Sequence, residues 1–147
     1  MKAIEIEKLI AEVESLSRHR LPSNIEMEVK IQENLKGRTI LGNSDQIKSI
    51  LFELIRNSTK ALHKPDSKIQ IFASSENDGL ITLCIKDNGC GIRDDLKKKL
   101  LKEVVESESS SGIGLYLINR IIHQMGGDIK LESSEKGTTI TLLFKDS

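Results

Sequence analysis

Apolar residues recur along this chain with two periods, one near 3.6 and one of 2, and the alternation between them lays out the elements. Ile6, Leu9, Ile10, Val13 and Leu16 repeat at helical spacing, which predicts a helix over residues 4–16. Pro22 ends that region. Ile25, Met27, Val29 and Ile31 then alternate with Glu26, Glu28 and Lys30, the pattern of a half-buried strand. Lys36-Gly37 reads as a turn and residues 39–41 as a short strand. Asn43 or Ser44 caps the next helix, Gln46 standing three after Asn43 at capping-box spacing, and that helix runs to about Leu62, before Pro65. Residues 69–73 and 80–86 predict two strands joined by the polar turn 74–79. Residues 94 to about 105 predict a highly charged helix, 106–111 a serine-rich loop, and 115–125 a helix closed by Gly126-Gly127. Residues 129–131 and 138–144 close the chain as a hairpin around Glu135-Lys136-Gly137. Strands mixed with separated helices predict an α+β fold. Its architecture would be a two-layer α/β sandwich, a mixed sheet of about five strands with about three main helices on one face.

Composition narrows the classes of function. The chain of 147 residues reads as one domain, long enough to hold a core without disulfides or metal. Lys plus Arg and Asp plus Glu number 22 each, so the net charge is zero. That balance argues against a general nucleic-acid binder, and Phe52, Phe72, Phe144 and Tyr116 are too few aromatics for a base-stacking surface. No apolar run is long enough to span a membrane, and the amphipathic start is no signal peptide. Cys84 and Cys90 have no second pair and too few histidines for a zinc site, so a reduced, cytoplasmic setting is expected.

Candidate chemistry lies on one helix flank and in the glycine boxes. In the helix from 44 to 62, Glu53, Asn57 and Lys60 cluster about 100° from the apolar stripe, so a carboxylate, an amide and an ammonium line one flank. A solvated helix face is the plainer explanation of this flank taken alone, but Asn is a poor mid-helix residue, while its oxygen suits Mg²⁺ and Lys suits a phosphate. Asp87-Asn88-Gly89-Cys90-Gly91 directly follows a strand. Its carboxylate can accept from an exocyclic amine and its glycines can admit a flat ligand, or the segment is simply a turn. Gly112-Ile113-Gly114-Leu115 opens a helix, where backbone N–H groups and the dipole favour an anion. It lacks the third glycine of a dinucleotide fingerprint and the ending of a Walker loop. Seven of the ten glycines follow Asp87, so close backbone approaches concentrate late in the chain.

Taken in order, Glu53-x-x-x-Asn57-x-x-Lys60, Asp87-x-Gly89-x-Gly91, Gly112-x-Gly114-Leu115 and Gly137-Thr138-Thr139 resemble the ATP-binding domain of the GHKL superfamily, the Bergerat fold. Histidine kinases, type II topoisomerases, mismatch-repair ATPases and heat-shock chaperones share that domain. Gly126-Gly127-Asp128-Ile129, and the segment 4–45 ahead of the first box, look most like a sensor histidine kinase. The resemblance implies ATP and Mg²⁺ as cofactors. Asn57 would coordinate the metal, Lys60 would contact phosphate, and Glu53 would stand at the general-base position. Asp87 would accept the adenine amine, with Gly89, Gly91 and Ile92 in the pocket and Thr138 supporting Asp87 through its hydroxyl. Gly112, Ile113, Gly114 and Leu115 would lie along the phosphates. The implied activity is transfer of the ATP γ-phosphate to a histidine on a separate dimerisation and phosphoacceptor domain, with a response regulator as indirect partner.

The chain departs from the kinase pattern twice. Residues 93–111 contain no aromatic residue where the family carries a Phe-rich box, which leaves Lys97, Lys98, Lys99 or Lys102 for lid contacts to phosphate. No phosphoacceptor hairpin is recognised in these residues. His19 is followed by Arg20 rather than an acidic residue, and His63 and His123 read as structural or surface side chains. The domain is therefore expected to be monomeric, to bind ATP, and not to label itself; Phe52 is a candidate for the surface that docks the acceptor, or for core packing. Two rival readings stand beside it: a stand-alone serine kinase of the anti-sigma type, with Glu53 as base, and a nucleotide-switched binding module without turnover.

Overall fold

The apolar alternation of the strands places most large aliphatic side chains of the sheet on one face, Leu80 and Leu143 standing on the other. A computed structural model describes residues 2–62, 64–75, 79–92 and 114–146. Five strands form the main sheet in the order β2-β4-β5-β7-β6. They are β2 (Ile25–Ile31), β4 (Ser67–Ser74), β5 (Leu80–Asp87), β6 (Asp128–Ser134) and β7 (Gly137–Lys145). The β2–β4 pair is parallel and the others antiparallel, so the sheet is mixed. Cross-strand rows such as Val29–Ile71–Ile85–Ile140–Leu131 line its inner face. The outer face carries the alternate residues, among them Glu28, Lys68, Lys86 and Lys130, with Phe72 exposed among them.

Helices α1 (Ile6–Arg18), α2 (Ser44–Lys60) and α3 (Leu115–Gln124) carry the apolar stripes that join that inner face in one core. Asn43 caps α2 as its spacing predicts, its Oδ1 accepting from the Gln46 N–H at 3.0 Å. Gly126, at φ +80°, ends the turn after α3 in the left-handed conformation. The α+β two-layer arrangement, the mixed five-stranded sheet and the three helices are as the sequence predicts.

Two details differ. The helix expected from residue 4 begins at Ile6; residues 4 and 5 belong instead to a strand, β1 (Lys2–Glu5), which pairs antiparallel with β3 (Thr39–Gly42) in a second, two-stranded sheet. Leu16, placed by spacing on the apolar stripe, is 48% exposed, and Ser17 takes the buried position. The stripe of α1 runs Ile6, Leu9, Ile10, Val13, Ser17, and Leu16 falls to its side. The charged helix expected over 94–105, the loop 106–111, Gly112, Ile113, the lysines of 97–102 and His63 lie outside the described residues.

Candidate nucleotide site

Register builds the site. Asp87, the last residue of β5, is the direct partner of Thr138 on β7, and Thr138 is the partner of Ser133 on β6. At this end of the sheet the inward row turns from aliphatic to polar, with Asp87 4% and Thr138 6% exposed. A buried carboxylate needs partners for its oxygens. Oδ1 accepts from the Gly89 N–H at 2.9 Å and from the Thr138 N–H at 3.3 Å. Oδ2 accepts no hydrogen bond among the described residues, yet it is not sealed off as a buried unpaired atom. The carboxylate is thus held by one oxygen and offers the other. Thr138 supports it through the backbone N–H, not through the hydroxyl the sequence suggested. That hydroxyl lies 2.9 Å from Ser133 Oγ instead.

The loop after Asp87 is tied down on three sides. Asn88 accepts from the Lys68 N–H through Oδ1 and donates through Nδ2 to the Asp66 carbonyl, both at 2.8 Å. Cys90 donates its N–H to the Ala61 carbonyl, at the end of α2, at 3.3 Å. Ile92 donates its N–H to Ser133 Oγ at 2.7 Å. The glycines make these approaches possible. A Cβ on Gly89 would meet the Ala61 oxygen at 2.6 Å, and one on Gly91, at φ +78°, would run into the Ser134 carbonyl. Both glycines therefore make room for the protein's own backbone.

The grip on Ala61 brings α2 to the loop. Glu53, Asn57 and Ala61 follow at spacings of four, so Asn57 stands one turn, about 6 Å, from the residue that holds the loop. Its half-buried amide makes no hydrogen bond among the described residues. Glu53 is buried, with Oε2 3.6 Å from the Arg56 guanidinium, and Lys60 is half-buried in the last turn. Gly114 is the N-cap of α3 and is exposed, with open space where a Cβ would stand. Leu115, next in the chain, is buried, so its side chain packs and only its backbone faces the helix start. The structure therefore brings Asp87, Gly89, Gly91, Ile92 and Thr138 into one cluster abutting the end of the α2 flank. Gly114 and Leu115 stand at a helix N-terminus, as an anion site requires.

Sequence reasoning missed Ser133 and Asn88. Ser133 left one signal, a hydroxyl at an inward position of a strand whose other inward residues, Ile129 and Leu131, are aliphatic. Phe52 is half-buried against the core, with the Arg20 guanidinium 5.9 Å from its ring centre. His19 is exposed at the end of α1, and His123 is exposed and lies 3.0 Å from Asp128. Asp128 is held below its ordinary carboxylate range, first by the Ile129 N–H and then by His123. Cys90 is exposed and Cys84 half-buried. Among the described residues no helix is long and apolar enough to cross a membrane.

A strand-end carboxylate with one unbonded oxygen, a glycine loop clamped to a helix carrying Asn, and a glycine-capped second helix lie at this end of the molecule. The chain belongs to the family of histidine kinase-, DNA gyrase B- and HSP90-like ATPases, whose pattern it matches over residues 42–147. Its relatives are sensor kinases. It is 33% identical over 111 residues to the C4-dicarboxylate transport sensor protein DctB of Rhizobium meliloti, covering 74% of this chain and 18% of that one. It is 24% identical over 159 residues to the sensory histidine kinase/phosphatase NtrB of Rhizobium leguminosarum bv. phaseoli, covering 98% of this chain and 41% of that one. This chain therefore spans less than half the length of these relatives. The fold matches the mycobacterial sensor histidine kinase MprB with a TM-score of 0.82 at 20% identity, over 99% of this chain and 98% of that one. The catalytic domain of histidine kinase ThkA superposes with a TM-score of 0.81 at 21% identity, over 99% and 96% of the two chains. The chain is an ATP-binding domain of this family, similar in fold to the catalytic domains of histidine kinases.

Proposed function

We propose that this domain transfers the γ-phosphate of ATP to a histidine on a separate helical-hairpin domain of a cytoplasmic signalling kinase, in a chain of transfer that ends on a response regulator. The observation that carries the reading is Asp87, whose Oδ1 is occupied by two backbone donors while Oδ2 is open. That oxygen accepts from the adenine amine, a donor that guanine lacks at the same ring position. Asn57 fits a metal held largely by phosphates, because Mg²⁺ needs few protein oxygens when a nucleotide supplies the rest, and this amide is unspent. When bound, Mg²⁺ neutralises charge across the phosphates. Lys60 adds a point charge beside it, and the first N–H groups of α3, with Gly112, Ile113, Gly114 and Leu115, orient phosphate oxygens. Glu53, one turn before Asn57, accepts a hydrogen bond from the incoming imidazole and aligns it. Phosphoryl transfer asks mainly for such positioning and charge compensation.

Calorimetric titration of Mg-ADP into the unaltered chain and into Asp87→Asn tests the adenine site, with Mg-GDP as control. Saturable ADP binding that Asp87→Asn abolishes and GDP does not reproduce is the expected result; no binding to the unaltered chain sinks the reading. Adding γ-labelled ATP together with a kinase helical-hairpin domain tests the acceptor. Acid-labile label on the hairpin histidine, with none on this chain alone, supports the kinase; acid-stable label on serine transfers the assignment to the serine-kinase class.

A further inference from the structure

We propose that the cavity between the end of α1 and the adjoining face of α2 binds a small organic carboxylate with an apolar body, held by Arg20, Ser17 and Phe52. The cavity encloses about 430 Å³, with Ser17, Arg20 and Leu21 on one wall and Phe52 and Ile55 on the other. That volume lies within the ordinary range of small-molecule sites. Ser17 supplies the first sign of a ligand. It continues the buried stripe of Ile6, Leu9, Ile10 and Val13, where a further aliphatic side chain would pack, and is 4% exposed. Its hydroxyl is buried and makes no hydrogen bond among the described residues. A buried hydroxyl of this kind is costly unless a bound group supplies its partner. The Thr59 hydroxyl on the facing helix is already committed, donating to the Arg56 carbonyl at 2.6 Å.

Charge supplies the second sign. Of the arginines at the end of α1 and on α2, Arg18 reaches Glu14 at 2.6 Å and Arg56 faces Glu53 at 3.6 Å. Arg20 has no carboxylate partner among the described residues, and its guanidinium stands over the Phe52 ring, 5.9 Å from the centroid. A guanidinium seated on an aromatic ring keeps its N–H fork for an acceptor, and a planar carboxylate matches that fork. Glu53 also lines the cavity and repels an anion, so the carboxylate belongs at the α1 end, with Arg20 and Ser17. Leu21, Phe52 and Ile55, which pack against the core, then cover the apolar body.

Charge without the apolar wall would take any acid, and the wall without the charge any apolar molecule. Together they ask for both in one ligand. Of the residues assigned above to nucleotide or phosphoryl transfer, Glu53 alone lines this cavity, so binding here and binding at the nucleotide cluster are told apart by where they act.

The test is titration of the isotope-labelled full chain with naphthoate, read by amide NMR shifts. Naphthamide, which keeps the body and lacks the charge, and acetate, which keeps the charge and lacks the body, are titrated in parallel. For a ligand of about thirteen heavy atoms the expected dissociation constant is about 1 mM. The shifts should concentrate at residues 17–21 and 49–59, and both controls should bind at least about tenfold more weakly. Arg20→Gln should weaken naphthoate about tenfold and leave naphthamide unchanged, whereas a purely structural effect would weaken both. Ser17→Ala removes a hydroxyl that the fold does not use, so it should melt in urea no earlier than the unaltered chain, yet bind naphthoate about fivefold more weakly. Shifts concentrated at residues 87–92 would put the anion in the nucleotide cluster and overturn the inference. Acetate or naphthamide binding as tightly as naphthoate overturns it too, the former meaning that Arg20 takes any acid, such as a partner's side chain. So do naphthoate affinity unchanged in both variants and the lack of a saturable shift by about 10 mM.

Discussion

Gly91 and Gly37 share a left-handed backbone, at φ +78° and +77°, but not a neighbourhood. Nothing lies within 4 Å of a Cβ built on Gly37, whereas one on Gly91 collides with the Ser134 carbonyl. Gly37→Ala therefore meets only the conformational penalty, about 1–2 kcal/mol. Gly91→Ala adds a backbone overlap that the loop relieves only by leaving β6, which should raise the cost beyond about 3 kcal/mol. Urea melts of the two variants give the difference directly, and ADP binding should survive the first and not the second. Equal melts would mean that the loop is not held where its hydrogen bonds place it. The same local scale shows what a motif conceals. Asp-x-Gly-x-Gly is legible as a box, but its glycines answer to Ala61 and Ser134, residues 28 positions before Gly89 and 43 after Gly91 in the chain.

At the scale of elements, β2 is an edge strand bound to β4 on one side only. Beside the ladder, Glu28 reaches Lys68 at 3.0 Å and Lys30 at 3.1 Å. Its hydrogen bond from Lys68, then that from Lys30, hold its carboxyl down at about 2, from an ordinary value of 4.5. Lys68 in turn is raised above its usual range by Glu28. A depressed carboxyl contributes stability that is present above its ordinary pKa and lost as pH falls through the folded value, because the unfolded chain takes up the proton first. Stability should therefore rise with pH between about 2 and about 4.5 in part through this cluster, and Glu28→Gln should flatten that part of the curve. Chemical denaturation at several pH values measures it; an unaltered slope in Glu28→Gln would show that the cluster holds nothing. Element boundaries erred where pairing overrode period. Residues 4 and 5 continue the helical pattern in sequence, but β3 supplies backbone partners that hold them extended.

For the whole molecule, a ligand that binds only the folded chain stabilises it by mass action. With ADP at about 100 times its dissociation constant the gain is about 2.7 kcal/mol, which for a domain of this size raises the melting temperature by roughly 6–10 °C. Differential scanning calorimetry with and without Mg-ADP checks this. Asp87→Asn should melt near the unaltered chain without nucleotide and gain nothing from ADP. A gain equal to that of the unaltered chain would mean that ADP binds elsewhere.

Periodicity by itself determined the two-layer α+β plan, because burial of one sheet face and one stripe per helix is written locally, every second or every third and fourth residue. It also determined which residue types carry the candidate chemistry: Asp87 at a strand end, Asn57 against the grain of a helix, and glycines crowded after them. Tertiary structure alone decided what those residues face. Asp87 is opposed to Thr138, 51 positions on, only because β5 and β7 pair in that register, and Ser133 enters the cluster only because β6 pairs in its turn. The division has one physical cause. Amphipathic period is a property of neighbours along the chain. The direction of a buried hydrogen bond depends on donors and acceptors brought from distant strands, and no local pattern encodes that meeting.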